Sequence, residues 1–324
     1  MNNNSGLIAA YILDGKGSGQ KIGWNEIKSW SEDDGLLWIH LDYTFPDSEK
    51  WLFEESGLNE LVISALTHDD PRPRSAVMKD GLLVMLRGVN LNPGADADDM
   101  VSLRFWMNDK RIITTRRRKL LSITDLIQSI EQGNGPVSTG DFLISIANRI
   151  VERMANVVDD IETKADLLED QVLSAQSHQL RPQISELRRE AIKLRRYLAP
   201  QREAMSRLYN ERVQWLNDID RMNLREIADN TTRYIEELDA SRERAIVIQE
   251  ELLSRISEQM DKRMYVLSMV AAIFLPLGFL TGLLGINVGG IPGAESKTAF
   301  YIFCGILIFI TSAQIYVFKK LKWM

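Results

Sequence analysis

The sequence has one cysteine, Cys304, and three histidines, His40, His68 and His178, far apart in the chain. One thiol cannot form a disulfide within a chain, and no second Cys or His stands at ligand spacing to complete a zinc site. No nucleophile elbow, metalloprotease helix or zinc ribbon is present, so nothing points to an enzyme. Proline and glycine are missing from Asp218 until Pro276, and charge is missing from Met264–Leu284 and Ala299–Phe318. The N-terminal Met-Asn-Asn-Asn-Ser lacks a basic region followed by an apolar one. No cleavable signal peptide is therefore expected, and the polar body is expected to stay in the cytosol.

The net charge of −6 gives no global reason to expect a nucleic-acid partner. A length of 324 residues allows two or three domains. Each uncharged run has about the 20 residues a helix needs to cross roughly 30 Å of hydrocarbon. The sequence thus predicts spans at about 264–284 and 299–318, joined by a loop over 285–298. Lys262 and Arg263 precede the first span, and Lys319, Lys320 and Lys322 follow the second. The loop between them carries only Glu295 and Lys297. The bias of basic residues predicts that both termini are cytoplasmic and the loop faces outward, with membrane lipid around a multi-pass hairpin.

The rest divides into an α/β part, 1–119, and a helical part with a stalk, 120–263, ahead of the membrane part, 264–324. Strands are expected at Leu7–Leu13, Leu36–Asp42 and Leu82–Val89, with a hairpin of Val101–Met107 and Arg111–Thr115 around Asn108-Asp109. Helices are expected at Ser48–Glu55 and Asn59–Leu66. From Asp141 to Leu173, Phe142, Ile146, Ile150, Met154, Val157, Ile161 and Leu168 recur near helical spacing. A further helix starts at Arg181-Pro182 and is expected to reach about Tyr197, with Pro200 disturbing it. The last begins near Asp218 and, if continuous to Leu284, is roughly 100 Å long at about 1.5 Å per residue. That length suits a stalk carrying a mechanical signal from cytosol to membrane.

Several segments suggest chemistry. Gly15-Lys16-Gly17-Ser18-Gly19-Gln20-Lys21 has the glycines of a phosphate loop but not its spacing, and reads as a turn between strands. His68-Asp69-Asp70 has metal-ligand types, but a solvated loop before Pro71 is the better reading. Arg116-Arg117-Arg118-Lys119 reads as a solvated boundary rather than an anion site. The long helix carries Glu226, Asp229, Glu236, Glu237, Asp239, Glu243, Glu250, Glu251, Glu258 and Asp261, with arginines between them. Most of this is an ordinary salt-bridged surface, but several copies around an axis would turn the acids into cation-attracting rings. The sequence leaves open which acids face inward.

Along the first span Met264, Ser268, Ala271, Leu275, Gly278 and Gly282 recur at alternating intervals of four and three. Such a stripe packs helices closely or lines a narrow pore with apolar constrictions, and a pore of packed helices needs both. Two spans cannot enclose a conduit, whereas a closed ring of identical subunits can. Asn287 then forms a ring of neutral amides at the outer mouth, suited to the water of a hydrated cation.

Ile273 to Asn287, with its Gly285-Ile286-Asn287 triplet, resembles the CorA-type metal-ion transporters, which carry Gly-Met-Asn after the first of two C-terminal helices. Val288 to Gly293 resembles the ZntB zinc-transporter branch of that family, and Arg72-Pro73-Arg74 ahead of a strand also fits. The resemblance implies an α+β protein in a homopentameric funnel: a cytosolic α/β domain, a helical stalk and two membrane helices. It implies a selectivity loop of Gly285, Ile286 and Asn287, and Asp261, Met264, Leu275 and Gly278 at pore-lining positions. The transported cation is implied to be Zn2+, with no tightly bound cofactor. Isoleucine in place of methionine, and Gly289 and Gly290 where magnesium-transporting relatives often carry an acid, set this mouth apart from theirs. A magnesium or cobalt channel is the alternative within transport. A membrane-anchored oligomeric scaffold or signalling protein is the alternative outside it.

Overall fold

The computed structural model describes residues 6–174, 179–211, 213–285, 291, 293 and 296–321. The chain forms two compact units, Met1–Glu250 and Glu251–Met324. In the first unit the described residues form a seven-stranded sheet. Its strands are β1 (Leu7–Leu13), β2 (Gly19–Lys21), β3 (Leu36–Asp42), β4 (Arg74–Met78), β5 (Gly81–Gly88), β6 (Val101–Met107) and β7 (Arg111–Arg116). They lie in the order β2-β1-β3-β7-β6-β5-β4, with β3 and β7 parallel and the other neighbours antiparallel. The β6–β7 turn closes because Asn108 Oδ1 accepts the Lys110 and Arg111 backbone N–H groups at 3.0 and 2.7 Å. This is the local bonding that makes Asn a turn residue. The glycine-rich segment after β1 is a hairpin turn, with Gly15 and Gly17 at φ of 70° and 99°.

Both faces of the sheet are covered, so its central strands read as nearly continuous apolar runs. On one face Leu37, Ile39, Leu41, Leu83, Met85 and Ile113 pack with Trp51, Leu52, Val62, Ile63 and Leu66. The last five come from helices α2 (Pro46–Glu54) and α3 (Glu60–Thr67), and α1 (Trp24–Ser29) adds Ile27. On the other face Trp38 stacks on Tyr11 at 5.9 Å and meets Phe142 edge-on at 5.1 Å. Phe142 belongs to α5 (Thr139–Ser174), which follows α4 (Leu121–Glu131). All the apolar positions expected to form the α5 stripe, from Phe142 to Leu168, are buried.

Helix α6 runs from Leu180 to Asn210, well past the expected end at Tyr197 and straight through Pro200. Proline removes one helical hydrogen bond, which costs about 3 kcal/mol in an isolated helix. Here Leu198, Ala204, Met205 and Leu208 are buried around it. The fully buried Gln201 accepts the Arg87 N–H at 2.7 Å, and Ser75 Oγ donates to the Ala204 carbonyl at 3.0 Å. Tertiary packing against β4 and β5 thus outweighs the local penalty.

Helix α7 covers Asp218–Gly285 and α8 covers Ala299–Lys320. The start of α7 is fixed reciprocally: Asp220 N donates to Asn217 Oδ1 at 2.9 Å, and Asn217 N donates to Asp220 Oδ2 at 3.1 Å. This capping box satisfies two donors that a helix end leaves open. Within the first unit Leu224, Thr231, Leu238 and Ala245 recur every seven residues and are completely buried. Arg244 reaches Asp166 and Glu169 of α5 at 2.5 and 2.7 Å, and Arg195 of α6 reaches Asp239 at 2.7 Å. These ion pairs are partly exposed and add little energy, so the buried stripe supplies most of the hold on α7.

His40 lies in the core with no exposed surface. Thr114 Oγ1 donates to the Ile39 carbonyl and accepts Trp38 Nε1–H at 3.0 Å, so the 2.8 Å contact from His40 Nδ1 must also be a donation. Burial, with Arg116 nearby, lowers the His40 pKa to about 3. An unfolded histidine binds a proton near pH 6.5, whereas the folded one does not until about pH 3. Its contribution to stability is therefore complete above pH 6.5 and falls as the pH drops toward 3. Between pH 7.5 and 5, unfolding of the full chain should show a loss of about 2 kcal/mol that His40→Gln removes. Equal acid sensitivity in both proteins would contradict the neutral, buried assignment.

Candidate functional site

The second unit contains the end of α7 and all of α8. Both helices are long and apolar enough to cross a membrane, and no residue of their most apolar stretches is fully buried within one protomer. Their side chains therefore await lipid or other copies of the chain.

At about 100° per residue, Met264, Ala271, Leu275, Gly278 and Gly282 of α7 fall in a sector about 60° wide. All are exposed, Met264 to 59% and Leu275 to 72%. A Cβ added at Gly278, Gly282 or Gly285 would meet nothing within 4 Å. This face is accordingly shallow and unfilled in a single protomer. Ser268 stands at the edge of the sector, where it lines an apolar pocket with Tyr265, Met269, Ala272 and Phe318 of α8. Asp261 is exposed near the start of the apolar run. Gly285 is the last residue of α7. Ile286 and Asn287, the other two residues of the expected selectivity loop, lie outside the described residues.

Polar side chains within the spans mostly turn back on their own helix. Thr281 Oγ1 donates to the Leu277 and Gly278 carbonyls at 2.9 and 3.1 Å, and Thr311 Oγ1 to the Leu307 carbonyl at 2.8 Å. Gln314 is different: its Nε2 crosses from α8 to the Ala272 carbonyl of α7 at 3.3 Å. The sequence gives no sign of this contact, because it depends on how the two helices are registered.

The structure sorts the stalk acids. Asp239 pairs with Arg195 and Arg242, Asp229 with Arg225, and Glu251 with Arg255. Glu237 lies beside Arg233, but partial burial, with Glu162, Asp159 and Glu236 close by, pushes its carboxyl above the usual range. Glu226, Glu236, Glu243, Glu250 and Glu258 are exposed. Of these, Glu236, Glu243 and Glu250 stand seven residues apart on the side away from the buried stripe.

The metal-ligand types at 68–70 are otherwise engaged. Asp69 Oδ1 accepts Tyr43 O–H at 3.1 Å and pairs with Arg117 at 3.3 Å, and Asp70 pairs with Arg87. The fully buried Arg104 donates to the His68 and Asp69 carbonyls at 2.5 and 3.1 Å. Burial lowers the Arg104 pKa. This loop is a clasp for arginines from β5 and β6, and the run at Arg116–Arg118 is tied to it and to Asp99. Among the described residues no group of three or more His, Cys, Asp or Glu side chains is placed to hold a metal ion.

The family described as "CorA-like Mg2+ transporter protein" matches residues 33–320. A zinc transport protein ZntB of Pectobacterium carotovorum is 39% identical over 321 residues, covering 99% of this chain and 97% of its own. A divalent cation transporter CmaX of Pseudomonas aeruginosa is 39% identical, covering 98% and 97%. A solved full-length CmaX protein superposes with a TM-score of 0.86 at 37% identity, covering 99% of both chains. The CorA magnesium transporter of Methanocaldococcus jannaschii shares the fold, with a TM-score of 0.83 at 20% identity over 98% of this chain. The chain belongs to the CorA-like family. It is a metal-ion transporter of the membrane and not an enzyme.

The sector on α7 yields a direct expectation. In a Cys304→Ser background, Met264→Cys, Ala271→Cys and Gly278→Cys should react with a water-soluble thiol reagent in vesicles, while Ile273→Cys and Leu280→Cys, on the opposite face, should not. Equal labelling of both faces would rule out this sector as a water-filled path.

Proposed function

We propose that the chain is a homopentameric inner-membrane transporter of divalent cations and that its cargo is zinc. The observation that carries the transport reading is the pair of uncovered apolar helices α7 and α8, with small residues gathered on one face of α7. Two helices cannot surround a conduit, so copies of the chain close it, each contributing its α7 face. Residues 1–119 then serve as the cytosolic α/β domain, 120–263 as helices and stalk, and 264–324 as the membrane domain, with both termini in the cytosol. The basic residues beside both spans support this orientation.

The conduit runs along Asp261, Met264, Ser268, Ala271, Leu275 and Gly278, with the Gly285-Ile286-Asn287 loop at its outer mouth. Asn287 supplies a ring of neutral amides to hydrated ions. The spans contain no Asp, Glu or His to replace a hydration shell, so the ion keeps most of its water. In the first unit, Glu236, Glu243 and Glu250 are exposed and seven residues apart, and several copies around an axis would turn them into rings that attract cations.

Zinc is favoured by the relatives named for zinc transport, which match the chain end to end. Purified protein in vesicles should take up zinc faster than magnesium, and Asn287→Leu should reduce zinc flux to that of protein-free vesicles while the oligomer keeps its size. Magnesium flux above zinc flux would overturn the choice of metal. Normal flux in Asn287→Leu would overturn the selectivity ring. No flux of any divalent ion would leave the scaffold reading in its place.

A further inference from the structure

Pro276 sits inside α7 and has no N–H. In a regular α-helix that N–H would bond the carbonyl four residues earlier, which is Ala272. The proline therefore releases the Ala272 carbonyl in the middle of a membrane span. Hydrocarbon offers no water to satisfy it, and an unsatisfied backbone group there is costly. The apolar pocket that Ala272 helps to line provides no substitute. The carbonyl that proline releases is the one that Gln314 of α8 reaches, with Nε2 at 3.3 Å. Only the amide nitrogen can donate to a carbonyl, which fixes how the Gln314 amide is turned. Its Oε1 then points into a sealed position without a partner among the described residues. A glutamine in this place is explained by the bond it makes, since a leucine would fill the space without leaving a buried acceptor open.

We propose that Gln314 is a positioning residue for transport: it replaces the hydrogen bond lost at Pro276 and so fixes the direction of α7 where Leu275 and Gly278 flank the proline. Glutamine is long enough to cross between helices and neutral, so its burial costs far less than that of a charged side chain. The bond fastens the first span to the second at the point where the first is weakest. This role rests on the reading that the α7 face lines the ion path.

The test is a double-mutant cycle in the full-length protein, read as zinc flux in vesicles and as thermal stability in detergent. Gln314→Leu alone should lower both, with the folding equilibrium shifted about three- to twentyfold, the range expected for one interhelical hydrogen bond in a membrane, and flux reduced by more than about threefold. Pro276→Ala restores an N–H for the Ala272 carbonyl, so Gln314→Leu added to it should change flux by less than about twofold. Equal losses in the two backgrounds would overturn the proposal. If Gln314→Leu alone fails to assemble, recovery of the oligomer in the Pro276→Ala, Gln314→Leu protein supports the bond, and failure to recover it counts against it. Coupling in stability but not in flux would reduce Gln314 to a structural tie and overturn its role in transport. The stability cycle does not depend on flux, so a wild-type protein that moves no metal would count against the ion path rather than against the bond.

Discussion

A helix in hydrocarbon must satisfy its backbone polar groups within the protein, and the last third of the 68-residue α7 is the stretch long and apolar enough to face that constraint. The two weak places of α7 are treated differently. At the N-terminus, in the first unit, Asn217 and Asp220 cap each other's backbone N–H groups. At Pro276, within the second unit, the donor comes from another helix, Gln314 of α8. Between these points neither proline nor glycine interrupts the backbone bonding.

The first unit holds its part of α7 by shape rather than by charge. The seven-residue buried stripe of Leu224, Thr231, Leu238 and Ala245 is dry, whereas the ion pairs of Arg244 and Arg195 are wet at their edges. The sheet under these helices is in turn fixed by buried polar groups with specific partners. Trp38 and His40 share the Thr114 hydroxyl, and Arg87 and Arg104 clasp the 68–71 loop. Such networks tolerate little rearrangement, because a lost partner leaves a buried polar group open.

Elements with strong periodicity were legible in the sequence. Strands β1, β3 and β6 have the expected limits, and the lack of proline and glycine foretold the unbroken α7. Strand β2 was missed because Gly19, Gln20 and Lys21 carry no apolar pattern and pair only through their place beside β1. Strand β4 and helix α1 are short, and Pro73 masks the start of the former. The end of α6 was misplaced because burial of Leu198, Gln201 and Leu208 overrides a local proline penalty. The expected pore residues on α7 share a face because their spacing alone requires it. The Gln314–Ala272 contact was not legible, since it joins two helices whose relative register no local pattern encodes.

The account depends on α7 lining the axis of an assembly with α8 outside it. The most direct measurement is a high-resolution electron-microscopy map of the full-length protein in a lipid nanodisc. It should show five α7 helices around one axis, with Met264, Leu275 and Gly278 facing the axis and the Gln314 amide at the Ala272 carbonyl. A map with α8 lining the axis, or with the Met264–Gly278 face turned toward lipid, would contradict it.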